Sequence, residues 1–156
     1  MKAMVVYDSF FGNTEQIARV VAEGLGSGAE VSLLKVGDAR PEQVQGLDLL
    51  VVGSPTRGFR PTKPVAAFLE AVSLQGLRCA AFDTRLLARD IHSWVLVILE
   101  KMFGWAAEPI GKGLKKAGGQ LVLPPEGFIV MASEGPLKEG ELERAAEWAR
   151  QLLERS

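Results

Sequence analysis

Six consecutive residues, Ser9-Phe10-Phe11-Gly12-Asn13-Thr14, follow a short apolar run and lead straight into a helical pattern. Two hydroxyls, a glycine turn that frees main-chain N–H groups and the positive end of a helix dipole converge on that turn. Such a combination cradles a phosphate without any cationic side chain. A dinucleotide fingerprint needs G-x-G-x-x-G and a triphosphate loop needs Gly-Lys-Ser/Thr, and this segment has neither. One histidine, His92, and one cysteine, Cys79, are too few for a His-based catalytic pair, a metal cluster, a disulfide framework or a cysteine-rich zinc site. Cys79, between Arg78 and Ala80 in an apolar run, reads as a small buried side chain, and His92 as a solvent-facing or capping one.

Two further loops carry polar residues at the ends of apolar runs. Gly53-Ser54-Pro55-Thr56-Arg57-Gly58 follows Leu49-Leu50-Val51-Val52, and Asp83-Thr84-Arg85 follows Cys79-Ala80-Ala81-Phe82. These runs, with Met4-Val5-Val6-Tyr7, predict strands buried on both faces. Glu30 to Val36 predicts an outer strand. Leu121-Leu123 and Phe128-Met131, either side of Pro-Pro-Glu-Gly, predict the last strand. Helices are expected from Thr14 to about Leu25, with Asn13 as cap and Gln16 completing a capping box, and along the Val65, Phe68, Leu69, Val72 stripe. Others are expected over Pro109–Ala117 and Glu139–Glu154, the last burying Leu142, Ala145, Ala146, Ala149, Leu152 and Leu153. Alternating strands and helices imply a parallel sheet covered on both faces, and ligands of such sheets bind beyond the carboxyl ends of the strands. All three polar loops lie there.

The 156 residues make one domain with a real core. An apolar fraction of 47% excludes disorder, and 18 basic against 19 acidic residues remove the charge footprint of a nucleic-acid binder. Met1-Lys2-Ala3 runs directly into a strand, and the longest apolar stretch, Trp94 to Leu99, is far below the ~20 residues that span a bilayer. A soluble cytoplasmic protein is the expectation.

The two loops Ser9-x-x-Gly12-Asn13-Thr14 and Gly53-Ser54-Pro55-Thr56 together resemble those of the flavodoxins and flavodoxin-like flavoproteins, and the similarity runs through the Glu134-Gly135-Pro136-Leu137 segment into the last helix. The resemblance implies a three-layer α/β/α sandwich on a five-stranded parallel sheet of order 2-1-3-4-5, with FMN at the switch point. Carried onto this chain, Ser9, Gly12, Asn13 and Thr14 would hold the FMN phosphate, helped by the Phe10 and Phe11 amides. Pro55, Thr56, Arg57, Gly58 and Phe59 would line one side of the isoalloxazine ring, with Asp83, Thr84 and Arg85 in the third flavin loop. Phe59 or Phe10 would stack on the ring or simply pack. The implied function is FMN-dependent electron transfer to redox partner proteins or a small-molecule acceptor, with no catalytic residue and no metal.

Departures from the family are informative. Many flavodoxin phosphate loops have a third hydroxyl residue where this chain has Phe11. Arg57, Arg60, Lys63, Arg85 and Arg89 stand where acidic residues are usual, which predicts a stabilised anionic reduced flavin and a less negative potential. Two rival readings follow: an FMN-dependent NAD(P)H:quinone reductase, whose nucleotide phosphates the cations would receive, and a flavin-free binding or regulatory module. An apolar helical insertion at about 91–107, with Trp94 to Leu99, Met102, Phe103 and Trp105, predicts a helix buried on every side, in its own core or as a homodimer contact through 94–105 or a hydrophobic lid, with membrane-surface association the weaker third reading.

Overall fold

The computed structural model describes residues 1–87 and 94–156. Strand β1 (Lys2–Tyr7) is followed by helix α1 (Asn13–Leu25), β2 (Glu30–Lys35) and two short 3-10 turns. Then come β3 (Leu49–Pro55), α2 (Lys63–Ala71) and β4 (Arg78–Arg85). Helices α3 (Trp94–Phe103) and α4 (Ala107–Lys116), strands β5 (Gln120–Leu121) and β6 (Glu126–Ile129) and helix α5 (Glu141–Arg155) complete the chain. The sheet has the order β2-β1-β3-β4-β5, every pair parallel, with β6 also on β4.

The expected last strand is thus two pieces. Gln120 and Leu121 pair with Arg78 and Cys79, and Glu126 to Ile129 with Phe82 to Arg85. Pro124 and Pro125 lie between them and offer no N–H to a ladder, so the pairing breaks there and resumes.

Alternation along the strands sends side chains to two cores. Ala3, Val5 and Tyr7 pack with Ile17, Val21 and Leu25 of α1 and with Ala145, Trp148, Ala149 and Leu152 of α5. Met4 and Val6 face Val65, Phe68 and Leu69 of α2 and Ile110 and Leu114 of α4 on the other side. That is the three-layer sandwich expected from the sequence. Its α5 side is closed by three aromatic rings, Phe82, Phe128 and Trp148, meeting edge to face with centroids 6.0–6.1 Å apart.

Three sequence expectations are corrected. Asn13 does not cap α1: Gly12, in the left-handed region at φ 89°, is the cap and no side chain bonds there. Leu142 is exposed, and Trp148 instead takes the buried stripe of α5, because the first turn of that helix is positioned by Glu141 rather than by apolar contact. The own-core alternative for helix α3 fails as well, since Trp94, Val95, Ile98 and Met102 are exposed on the chain, while the homodimer alternative is untouched by this. Arg89, Asp90 and His92 lie outside the described residues.

Candidate functional site

Strand β1 hands over to α1 through a chain of short hydrogen bonds. The Asp8 N–H donates to the Gly53 carbonyl (3.1 Å), joining the ends of β1 and β3. The Asp8 carboxylate accepts the Ser9 N–H (2.9 Å), and Ser9 Oγ accepts the Gly12 N–H (3.0 Å). Only a residue that tolerates positive φ closes this turn without strain, which is the work of Gly12. The first intrahelical bond runs from the Gln16 N–H to the Gly12 carbonyl (3.0 Å). The N–H groups of Asn13, Thr14 and Glu15 therefore have no helical carbonyl to meet and point off the helix end. Ser9 keeps its hydroxyl proton available, since its oxygen is the acceptor in the loop.

Thr14 Oγ1 lies 2.8 Å from Thr84 Oγ1 at the end of β4, both buried. Two hydroxyls share one bridging proton and leave one for a ligand. Strand β4 so reaches across β3 to the start of α1, which brings the first and third polar loops together.

The second loop is fastened from within. The Ser54 hydroxyl donates to the Pro55 carbonyl (2.9 Å) and accepts the Thr62 N–H (3.0 Å). Arg57 and Arg60 exchange N–H to carbonyl bonds of 2.8 and 3.1 Å, with Gly58 and Phe59 both at positive φ between them. For Phe59 that conformation is costly, and such strain persists where surrounding structure over-determines it. The Thr56 N–H donates to the Thr84 carbonyl (2.9 Å), and Thr56 Oγ1 accepts the Ala106 N–H (3.1 Å).

Asp83 sits behind these loops, fully buried. Its carboxylate takes both Nε (2.7 Å) and Nη2 (2.8 Å) of Arg85 and the Ala107 N–H (2.8 Å). Burial pushes its carboxyl above the usual range, opposed by Arg85, the Ala107 N–H and Thr56. The Arg85 guanidinium also covers the Trp105 ring at 4.2 Å. This pair joins β4 to the start of α4, and Arg85 brings no unpaired charge to the loops.

Two cavities open above the strand ends. One, of about 200 Å³, has the hydroxyl residues Ser9, Thr14, Thr56, Thr84 and Ser133 in its wall, with Phe10, Phe11, Asn13, Pro55, Leu86 and Val130. Among the described residues lining it there is no lysine or arginine. The other, about 1020 Å³, is lined by Arg57 to Pro64 with Phe10, Ala66 and Pro109. Phe10 is common to both. The exposed rings of Phe10 and Phe11 lie 5.1 and 5.9 Å from the Arg57 guanidinium.

Of the residues singled out from the sequence, Ser9, Phe10, Phe11, Asn13, Thr14, Pro55, Thr56 and Thr84 meet in the small cavity. Arg57, Gly58 and Phe59 line the large one. Gly12 shapes the turn, while Asp83 and Arg85 line neither cavity. Leu86, Val130 and Ser133 were missed. No local motif marks them, since they arrive from beyond β4 and β6 through the strand order.

The flavodoxin family model matches residues 5–148. A flavodoxin of Aquifex aeolicus (strain VF5) is 49% identical over 57 residues, 35% of this chain and 31% of that one. An NAD(P)H dehydrogenase (quinone) of Paraburkholderia phymatum is 30% identical over 90 residues, 44% of this chain and 45% of that one. The chain thus spans less than half the length of these curated relatives. Among solved structures, flavodoxin 1 from Bacillus cereus superposes with a TM-score of 0.80 at 17% identity, covering 100% of this chain and 99% of that one. A flavodoxin from the domain Archaea does so with 0.77 at 22% identity over 99% and 97%. Those structural likenesses establish the fold, and the family match across nearly the whole chain establishes the kinship: the protein belongs to the flavodoxin family.

Proposed function

We propose that this chain binds FMN across the two cavities and carries electrons with it. Members of the flavodoxin family bind FMN, and the observation that carries the reading here is the small hydroxyl-walled cavity at the start of α1. A phosphate monoester dianion has acceptor oxygens only, and this wall offers donors: the Ser9 hydroxyl, the one proton the Thr14–Thr84 pair leaves over and the leading N–H groups of the helix. The larger cavity, walled by Phe10, Phe59 and prolines, suits the flat apolar ring system. FMN, when bound, supplies the redox chemistry. The protein's residues bind, orient and exclude water, and none is needed as acid, base or nucleophile.

Arg57, Arg60 and Lys63 surround the mouth of the larger cavity, which favours acidic redox partner proteins or an anionic small-molecule acceptor. The exposed row Trp94, Val95, Ile98 and Met102 on α3 supports a homodimer. An uncharged row of this kind meets another apolar surface, and a second copy presents one about a two-fold axis.

The test is anaerobic photoreduction of the FMN-loaded protein, followed by ferricyanide, with NAD(P)H and a quinone supplied in a parallel assay. An electron carrier bleaches, regains its colour on oxidation and leaves NAD(P)H unconsumed. Sustained NAD(P)H oxidation in the parallel assay makes the chain a quinone reductase instead, and protein that takes up no flavin is neither.

A further inference from the structure

Flavodoxin phosphate loops often place a third hydroxyl where this chain has Phe11, and Phe11 is an exposed ring engaged by Arg57. We infer that Ser133, from the loop between β6 and α5, supplies that hydroxyl to the FMN phosphate and makes the site selective for phosphorylated flavin. This rests on the reading of the cavity as the phosphate site.

Ser133 lies in the wall of the same cavity as Ser9 and Thr14, although more than a hundred residues separate them in sequence. Its loop is closed on itself and fastened to α1. The Met131 N–H donates to the Pro136 carbonyl (2.8 Å) and the Gly135 N–H to the Ala132 carbonyl (2.9 Å). Asn13 Nδ2 donates to the Glu134 carbonyl (3.1 Å), so the residue expected to cap the helix instead holds this loop over it. The approach is as close as backbone permits: a Cβ on Gly135, itself at φ 106°, would stand 2.6 Å from Asn13 Oδ1. Asn13 is a positioning residue, and Ser133 is the group it positions.

Each of the three terminal oxygens of a phosphate dianion accepts more than one hydrogen bond, so a hydroxyl from a separate loop of the same wall adds to the donors of α1's N-terminus, Ser9 and the Thr14–Thr84 pair. Among the described residues of the wall there is no cation to stand in for a lost hydroxyl.

Flavin-free protein is titrated with FMN and with riboflavin, following flavin fluorescence. Wild type is expected to bind FMN more tightly than riboflavin. Ser133→Ala should weaken FMN roughly tenfold, the low end for a hydrogen bond to a charged group, and leave riboflavin unchanged. Ser133→Thr should restore FMN binding. If Ser133→Ala binds FMN as wild type does, or loses FMN and riboflavin equally, the inference is overturned while the FMN site stands. Wild type that ignores FMN overturns the site itself, and this inference with it.

Discussion

Asp83 places a carboxylate at the end of β4 with no solvent contact, satisfied by Arg85 on both oxygens and by the Ala107 N–H. Removing one partner of such a pair strands the other, which costs far more than the pair itself contributes. Asp83→Asn should therefore lower stability by about 3 kcal/mol in urea unfolding, and Asp83→Asn combined with Arg85→Met should be less damaging than the single change. An additive double variant would contradict the pairing. Cys79 shows the opposite case of a buried group with little to do. Burial pushes its thiol up to about 11, so alkylation at pH 8 should proceed only as fast as the protein unfolds. At this scale the residue types at the strand ends were legible in the sequence, while the partner of each side chain was not. The hydroxyls of Ser9 and Thr14 were legible because strand, glycine and helix follow one another. The end of a strand does not reveal which way a side chain turns, so the inward turn of Asp83 onto Arg85 and the Ala107 N–H could not be decided from the sequence. The stacking of Arg85 on Trp105 depends on a helix entered twenty residues later.

Helix α5 is joined to the sheet by one charged cluster and one aromatic cluster. Glu141 accepts the Ile129 N–H (2.7 Å) and pairs with Arg144, whose guanidinium also reaches Glu126 (2.9 Å), the Gly127 carbonyl and the Phe128 ring. Burial works against the Glu141 charge, but Arg144 and the Ile129 N–H outweigh it and hold the carboxyl below its ordinary 4.5. A carboxyl lowered by folding stabilises the protein above its unfolded pKa and ceases to do so as pH falls through the lowered value. Glu141→Gln should thus cost about 2 kcal/mol at pH 7. Its deficit relative to wild type should close on acidification below about pH 4, followed by urea midpoints across pH. A deficit that stays constant with pH would contradict the ionic role. Trp148, meeting Phe82 and Phe128 edge to face, should cost about 4 kcal/mol when cut to alanine. The elements themselves were largely legible, because buried β-branched runs and 3.6-residue stripes leave strong patterns. What misled was the end of an element. Leu142 fits the apolar stripe of α5, yet the first turn is set by the Glu141 carboxylate, a long-range bond with no periodicity. In α3 an apolar surface on all sides suggested burial in the chain's own core or against a second copy, and the exposure of Trp94, Val95, Ile98 and Met102 removes only the first.

Across the whole molecule, charge is nearly balanced at −1, but its placement is uneven. Arg57, Arg60 and Lys63 gather at the larger cavity while Asp83 and Arg85 cancel each other. A local positive field speeds anions toward the flavin and is screened within ~8–10 Å at moderate salt. Reoxidation of the reduced holoprotein by ferricyanide should slow several-fold between 20 and 300 mM salt, while a cationic acceptor such as hexaammineruthenium should speed up. The reverse pattern would place the operative charges elsewhere. The cations of the second and third loops were legible in the sequence, whereas the pairing of Arg85 with Asp83 follows only from the fold.

On the proposed reading, neutral hydroxyls and main-chain N–H groups at the start of α1 hold a phosphate dianion. The most direct test of that reading is a titration of ¹⁵N-labelled flavin-free protein with FMN, read in the amide spectrum. Saturable shifts of the Asn13, Thr14 and Glu15 amides are expected at one equivalent, with far smaller shifts there when riboflavin is used. Amides at 13–15 that stay fixed under excess FMN, or move equally with riboflavin, would contradict it.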